Sequence, residues 1–88
     1  MRFQFDPTKA ASNHKKHGVS FADAEGVFSD PLAIHKADSD TADEERFIAV
    51  GMGSAGALLV VMYALRGDEM RLISARHATR SEVKDYES

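Results

Sequence analysis

The chain has 88 residues, 43% of them apolar and 28% charged, with a net charge of −3 and no cysteine. That length supports one domain with a single modest core, and the composition is that of a folded chain rather than a disordered one. Disulfides and thiolate metal ligands are excluded; the longest apolar run, Ala57 to Leu65, falls far short of a membrane span, and Met1 to Pro7 holds no apolar signal segment, so a cytoplasmic protein is expected.

Phe3-Gln4-Phe5 alternates apolar and polar residues, as a short strand does. Asp6-Pro7 is a strong helix start, because aspartate caps free N–H groups and proline suits the first helical position. The helix is predicted to pass through Lys9, Asn13 and Lys16 and to stop at Gly18, where glycine accepts the left-handed cap conformation. Ala10 and Ala11 are small, so this helix packs lightly and shows polar groups to something. Ser20 begins a second helix, with Asp23 at the capping-box position and Val19 placed for a hydrophobic staple. Phe21, Ala24, Val27 and Phe28 share one face of it, and Asp30-Pro31 ends it.

Strands are predicted from Leu32 to about His35, from Arg46 to Val50, from Leu58 to Leu65 and from Met70 to Ala75. The glycine-rich segment Gly51 to Gly56 lies between two strands and reads as a hairpin turn; with no helix behind it, it lacks the amide fan and dipole of a phosphate loop. Arg66-Gly67-Asp68-Glu69 makes a tight turn, and Thr79 with Glu82 forms a capping box for a last helix reaching Tyr86. Short connections predict an α+β fold: a small antiparallel sheet of about four strands, packed with two N-terminal helices and one C-terminal helix in a single domain, 1–88.

Charge is unevenly distributed. Asp38, Asp40, Asp43, Glu44 and Glu45 gather in one polar segment, expected to be a solvated loop; the rest of the chain holds nine acids against eleven bases, which allows a basic surface. Arg76 and Arg80 flank the start of the last helix, where cations are locally unfavourable, so an anion is expected there. Arginine binds phosphate and carboxylate alike. Arg46 and Arg71 read as solvent-side strand residues in ion pairs. His14 and His17 sit three apart on one helix face, a metal-compatible spacing without a visible third ligand, so no metal site is expected. His17 can instead serve as a proton carrier. Tyr86 either packs the last helix or donates to a phosphate.

Several blocks resemble the BrnT family of toxins. Phe5-Asp6-Pro7 with Lys9, Asn13 and Lys16-His17-Gly18-Val19-Ser20-Phe21, followed by Phe28-Ser29-Asp30-Pro31, resembles the family's opening. Glu45-Arg46-Phe47 with Gly51, and Ile73-Ser74-Ala75-Arg76 with Ala78-Thr79, Glu82 and Tyr86, resemble its second half. The resemblance implies a RelE-like fold and a metal-independent, cofactor-free ribonuclease that halts translation. It implies neutralisation by a BrnA-type antitoxin, whose ribbon-helix-helix domain brings the complex to operator DNA. Two departures stand out: Phe5 occupies a position where the family usually shows tryptophan, and the chain is acidic where such toxins are commonly basic.

The expected reaction is attack of an RNA 2′-hydroxyl on the adjacent phosphorus, which needs no metal. Arg76 and Arg80 would stabilise the phosphorane, and His17 or Tyr86 would carry the proton. Lys9, Phe5 and Arg46 would contact the substrate. The competing expectation is a non-catalytic interaction module that docks an acidic protein. A DNA-binding regulator is less well supported, since no helix is dense in Arg, Lys, Asn and Gln.

Overall fold

The computed structural model describes residues 2–38 and 45–88. Strand β1 (Arg2–Gln4) leads into helix α1 (Pro7–His17) and helix α2 (Phe21–Glu25), which tightens into a 3₁₀ turn, Gly26–Ser29. Strands β2 (Ile34–Asp38), β3 (Arg46–Met52), β4 (Leu58–Arg66) and β5 (Glu69–His77) follow, and helix α3 (Arg80–Glu87) ends the chain. Of the acidic segment, Asp40, Asp43 and Glu44 lie outside the described residues; Asp38 ends β2 and faces Arg46 across the ladder.

Local chemistry sets the boundaries. The Asp6 carboxylate accepts from the Thr8 N–H at 2.8 Å, Pro7 opens α1, and Gly18 closes it at φ 71° with its N–H on the His14 carbonyl. Ser20 caps α2 through the Asp23 N–H, but the Asp23 carboxylate does not return to Ser20. It accepts from the Ala55 N–H at 2.6 Å, pinning the Gly53–Gly56 turn to the helix. The second helix is shorter than its apolar face predicts. Gly26 lies against Ser54, where a Cβ would collide, and the chain tightens at that contact.

The sheet order is β1-β5-β4-β3-β2, the four successive strands with the short β1 added at one edge. β2 through β5 form antiparallel neighbours as the short turns predict, whereas β1 runs parallel to β5, Arg2 opposite Glu69 through Gln4 opposite Arg71. The sense differs because nearly the whole chain separates β1 from β5, so no hairpin dictates their pairing.

Alternation sorts the sheet into two faces. Ala49, Leu59, Val61, Tyr63, Leu72 and Ala75 join Val19, Phe21, Ala24 and Val27 in the core. On the other face, cross-strand rows run Val50–Val60–Arg76 and Ile48–Met62–Ser74. A bulge at Met62/Tyr63 leaves Ile73 as the extra residue of β5.

Because β1 stops at Gln4, β5 from Leu72 onward has no strand on that side; α1 lies there instead. Asn13, 7% exposed, donates from Nδ2 to the Ala75 carbonyl (2.9 Å) and the Val19 carbonyl (3.0 Å), and its Oδ1 accepts from the Ala75 N–H (3.0 Å). One amide side chain thus closes the open edge of β5 as a strand would.

Candidate nucleic-acid interface

The α1–β5 junction leaves a groove of about 200 Å³, lined by Lys9, Ser12, Asn13, Lys16 and His17 with Ile73 and Ser74. The helical members recur at intervals of three and four, so they share one face of α1. That face is cationic because it carries Lys9 and Lys16, and α1 holds no carboxylate. An acidic chain therefore presents a basic helix, as the segregation of its aspartates and glutamates allows.

Arg76 stands on the same strand face as Ser74, two residues and about 7 Å farther along β5. Its guanidinium is already paired. Nη1 and Nη2 donate to the two Glu82 oxygens at 2.8 and 2.9 Å, and Nη1 also donates to the His77 carbonyl at 3.2 Å. The anion that two arginines at a helix start demand is thus partly internal, the carboxylate of the capping box itself. Glu82 Oε1 also accepts from the Thr79 N–H (2.8 Å), and the Thr79 hydroxyl accepts from the Glu82 N–H (3.3 Å). The Arg76 hydrogen bond, ahead of the Thr79 contacts, pulls the Glu82 carboxyl from 4.5 to about 2, against the opposing effect of burial. Arg76 rises above its ordinary value, chiefly through the same hydrogen bond. Arg80, the first residue of α3, is exposed, and its guanidinium makes no hydrogen bond or ion pair among the described residues.

Tyr86 anchors α3. Its hydroxyl donates to Asp30 Oδ2 at 2.6 Å, the oxygen that also accepts from the Met52 N–H at 2.8 Å, while Asp30 Oδ1 accepts from the Leu32 N–H. These bonds, Tyr86 first, hold the Asp30 carboxyl below its ordinary range, and the Asp30 carboxylate raises the Tyr86 phenol. The Tyr86 proton is committed to a structural partner.

Of the seven residues singled out from sequence, the groove brings Lys9 and His17 together and Arg76 lies next along β5. Arg80 and Tyr86 ride on α3. Phe5 packs edge-on against Phe21 with ring centroids 5.5 Å apart and stays 42% exposed just before α1. Arg46 sits in the row Arg46–Ala64–Arg71, about 15 Å from the Arg76 row along the strands, and stands apart from the groove. Ser12 and Ser74 were missed, because short hydroxyl residues carry no periodic signal. The second role of Glu82 was missed too, since a capping box gives no sign of its arginine partner. Among the described residues, no group of three or more His, Asp or Glu is placed to share a metal ion. No described helix is long and apolar enough to cross a membrane.

Residues 5–82 match the family model described as "Ribonuclease toxin, BrnT, of type II toxin-antitoxin system". The structure is similar to the crystal structure of the Brucella abortus ribonuclease toxin, BrnT, with a TM-score of 0.67 and 29% identity, covering 91% of this chain and 99% of that one. No functionally curated protein matches the chain. With a family match across nearly the whole fold and the same architecture in a solved relative, the chain belongs to the BrnT family of ribonuclease toxins of type II toxin–antitoxin systems.

Proposed function

We propose that this chain is a metal-independent endoribonuclease toxin of the cytoplasm, which halts translation and is neutralised by a BrnA-type antitoxin with a ribbon-helix-helix domain. The observation that carries this reading is the basic α1–β5 groove, whose Ser74 stands two residues from Arg76 on β5, in a chain of this family. The groove is smaller than sites that enclose a drug-sized ligand. It suits a backbone phosphate drawn along a helix face, with the base left outside.

In this reading Lys9 and Lys16 hold the RNA backbone, and Arg76 meets the scissile phosphate. The 2′-hydroxyl passes its proton to His17 as its oxygen bonds to phosphorus, the P–O5′ bond breaks, and the departing 5′-oxygen takes that proton from His17. His17 is the groove residue able to move that proton, a role worth about 10²–10⁴ in rate. Arg76, with Arg80 at the helix mouth, offsets the charge of the phosphorane, where one lost donor costs about 10²–10³ in rate. Tyr86 is left out of the chemistry, because its hydroxyl serves Asp30. Phe5, beside the start of α1, and Arg46, at the far end of the sheet face, are outlying contacts for a longer strand.

Purified protein incubated with RNA in EDTA tests the reading, with and without a cognate antitoxin. Cleavage that persists in EDTA and stops on addition of the antitoxin is expected. Intact RNA together with a tight partner complex would overturn it and make the chain an interaction module. In cells, Arg76→Ala is expected to relieve growth arrest at equal soluble expression; unaltered toxicity would count against Arg76.

A further inference from the structure

We infer that Glu82 is a positioning residue for RNA recognition: by holding the far end of the Arg76 guanidinium, it turns the Nε–Nη2 edge of that group outward as a two-point phosphate donor. The inference rests on the assignment of Arg76 to phosphate. A guanidinium has five N–H groups arranged in a plane. In Arg76 both Nη1 protons are used, one by Glu82 Oε1 and one by the His77 carbonyl, and one Nη2 proton is used by Glu82 Oε2. The Nε proton and the second Nη2 proton lie on the remaining edge and meet no acceptor among the described residues. That edge has the bidentate geometry that carboxylate and phosphate oxygens accept. The side chain is 41% exposed, so the edge is reachable.

The alternative is that Glu82 stands where phosphate should go and shuts the site. The geometry argues against it, because Glu82 occupies only one edge of the fork. Its carboxylate is fixed on its own side by the Thr79 N–H, at the start of α3. A carboxylate held in two directions makes a rigid stop for an otherwise flexible arginine. The fixed plane reduces the side-chain entropy lost on phosphate contact. The strand-to-helix corner from Arg76 to Glu82 is thus a preformed half of a phosphate clamp.

Glu82→Gln separates the two roles of this residue, since glutamine satisfies a capping box but cannot pair charge with the guanidinium or accept from both its Nη atoms. The readout is binding of a 2′-O-methyl RNA oligonucleotide, which cannot be cleaved, by the full chain and by Glu82→Gln, Arg76→Ala and the double variant. Glu82→Gln is expected to weaken binding about two- to five-fold, the size an ion pair of this exposure supports. The double variant should bind no more weakly than Arg76→Ala alone, because the two residues act as one unit. Unchanged or tighter binding by Glu82→Gln, or losses that simply add, would overturn the inference. Cleavage of ordinary RNA is followed in parallel. Absent cleavage with this binding pattern overturns the nuclease reading alone, and normal cleavage without the pattern overturns the positioning role alone.

Discussion

Asn13 of α1 and Ala75 of β5 exchange hydrogen bonds in both directions, amide to carbonyl and N–H to amide oxygen, across 62 residues of chain. This link fixes the helix that carries Lys9, Lys16 and His17 against the strand that carries Ser74 and Arg76. Asn13→Ala strands the Ala75 N–H and the Ala75 and Val19 carbonyls in a buried place. It should lower stability by about 2–4 kcal/mol, given about 1–3 kcal/mol for each unsatisfied buried group and partial relief by relaxation. Urea denaturation measures this, and a loss under 1 kcal/mol would show that the edge of β5 finds other partners.

The acid limb of stability should carry the signature of Glu82. Its carboxyl is lowered from 4.5 to about 2 by Arg76, so its stabilising contribution is fully present above pH 4.5. The contribution fades as pH falls from there toward about 2, where the folded carboxyl takes up its proton. Asp30, also lowered, acts in the same sense. Midpoints of thermal melting between pH 7 and 2 should fall more gently in Glu82→Gln than in the parent chain. Parallel curves would show that the pair is screened into irrelevance, as surface pairs often are.

Tyr86→Phe removes one bond from Asp30 but leaves the Met52 and Leu32 N–H contacts in place. The expected result is faster amide exchange in α3, a small loss in global stability, and RNA cleavage within about two-fold of the parent chain. A drop in kcat of about 10² or more, in the range of a lost general acid or base, would return the phenol to the reaction.

Lys9 and Lys16 line the groove and, as phosphate contacts, should each contribute to the salt dependence of RNA binding. Removing either should reduce the slope of log K against log salt by about 0.7 for a single strand. Lys84, exposed on α3, should leave the slope unchanged when replaced by alanine. Equal effects at all three positions would mean that RNA senses only the net charge of the protein.

Much of this architecture is written in local sequence. Asp6-Pro7 and Gly18 bound α1, Ser20 opens α2, and Thr79 with Glu82 opens α3, since capping depends on residues within one turn. The strands from Arg46 to His77 follow from apolar runs between turn residues, and the family resemblance read on the blocks around Lys16 to Phe21 and Ile73 to Arg76 agrees with the family match over residues 5–82. Tertiary structure alone decided four things. Asn13 reads from sequence only as a polar residue of a lightly packed helix, and becomes the buried closure of β5 because β1 ends at Gln4. Arg76 and Arg80 looked like a matched pair, yet Arg76 is held by Glu82 while Arg80 projects into solvent. The parallel sense of β1 and the gathering of Lys9, His17 and Ser74 in one groove depend on contacts between distant parts of the chain. Caps and alternation are short-range and leave a trace in neighbouring residues; edge closure and groove assembly are long-range and exist only once the sheet has set which residues meet, and the Arg76–Glu82 pair, though six residues apart, depends on the angle at which β5 turns into α3.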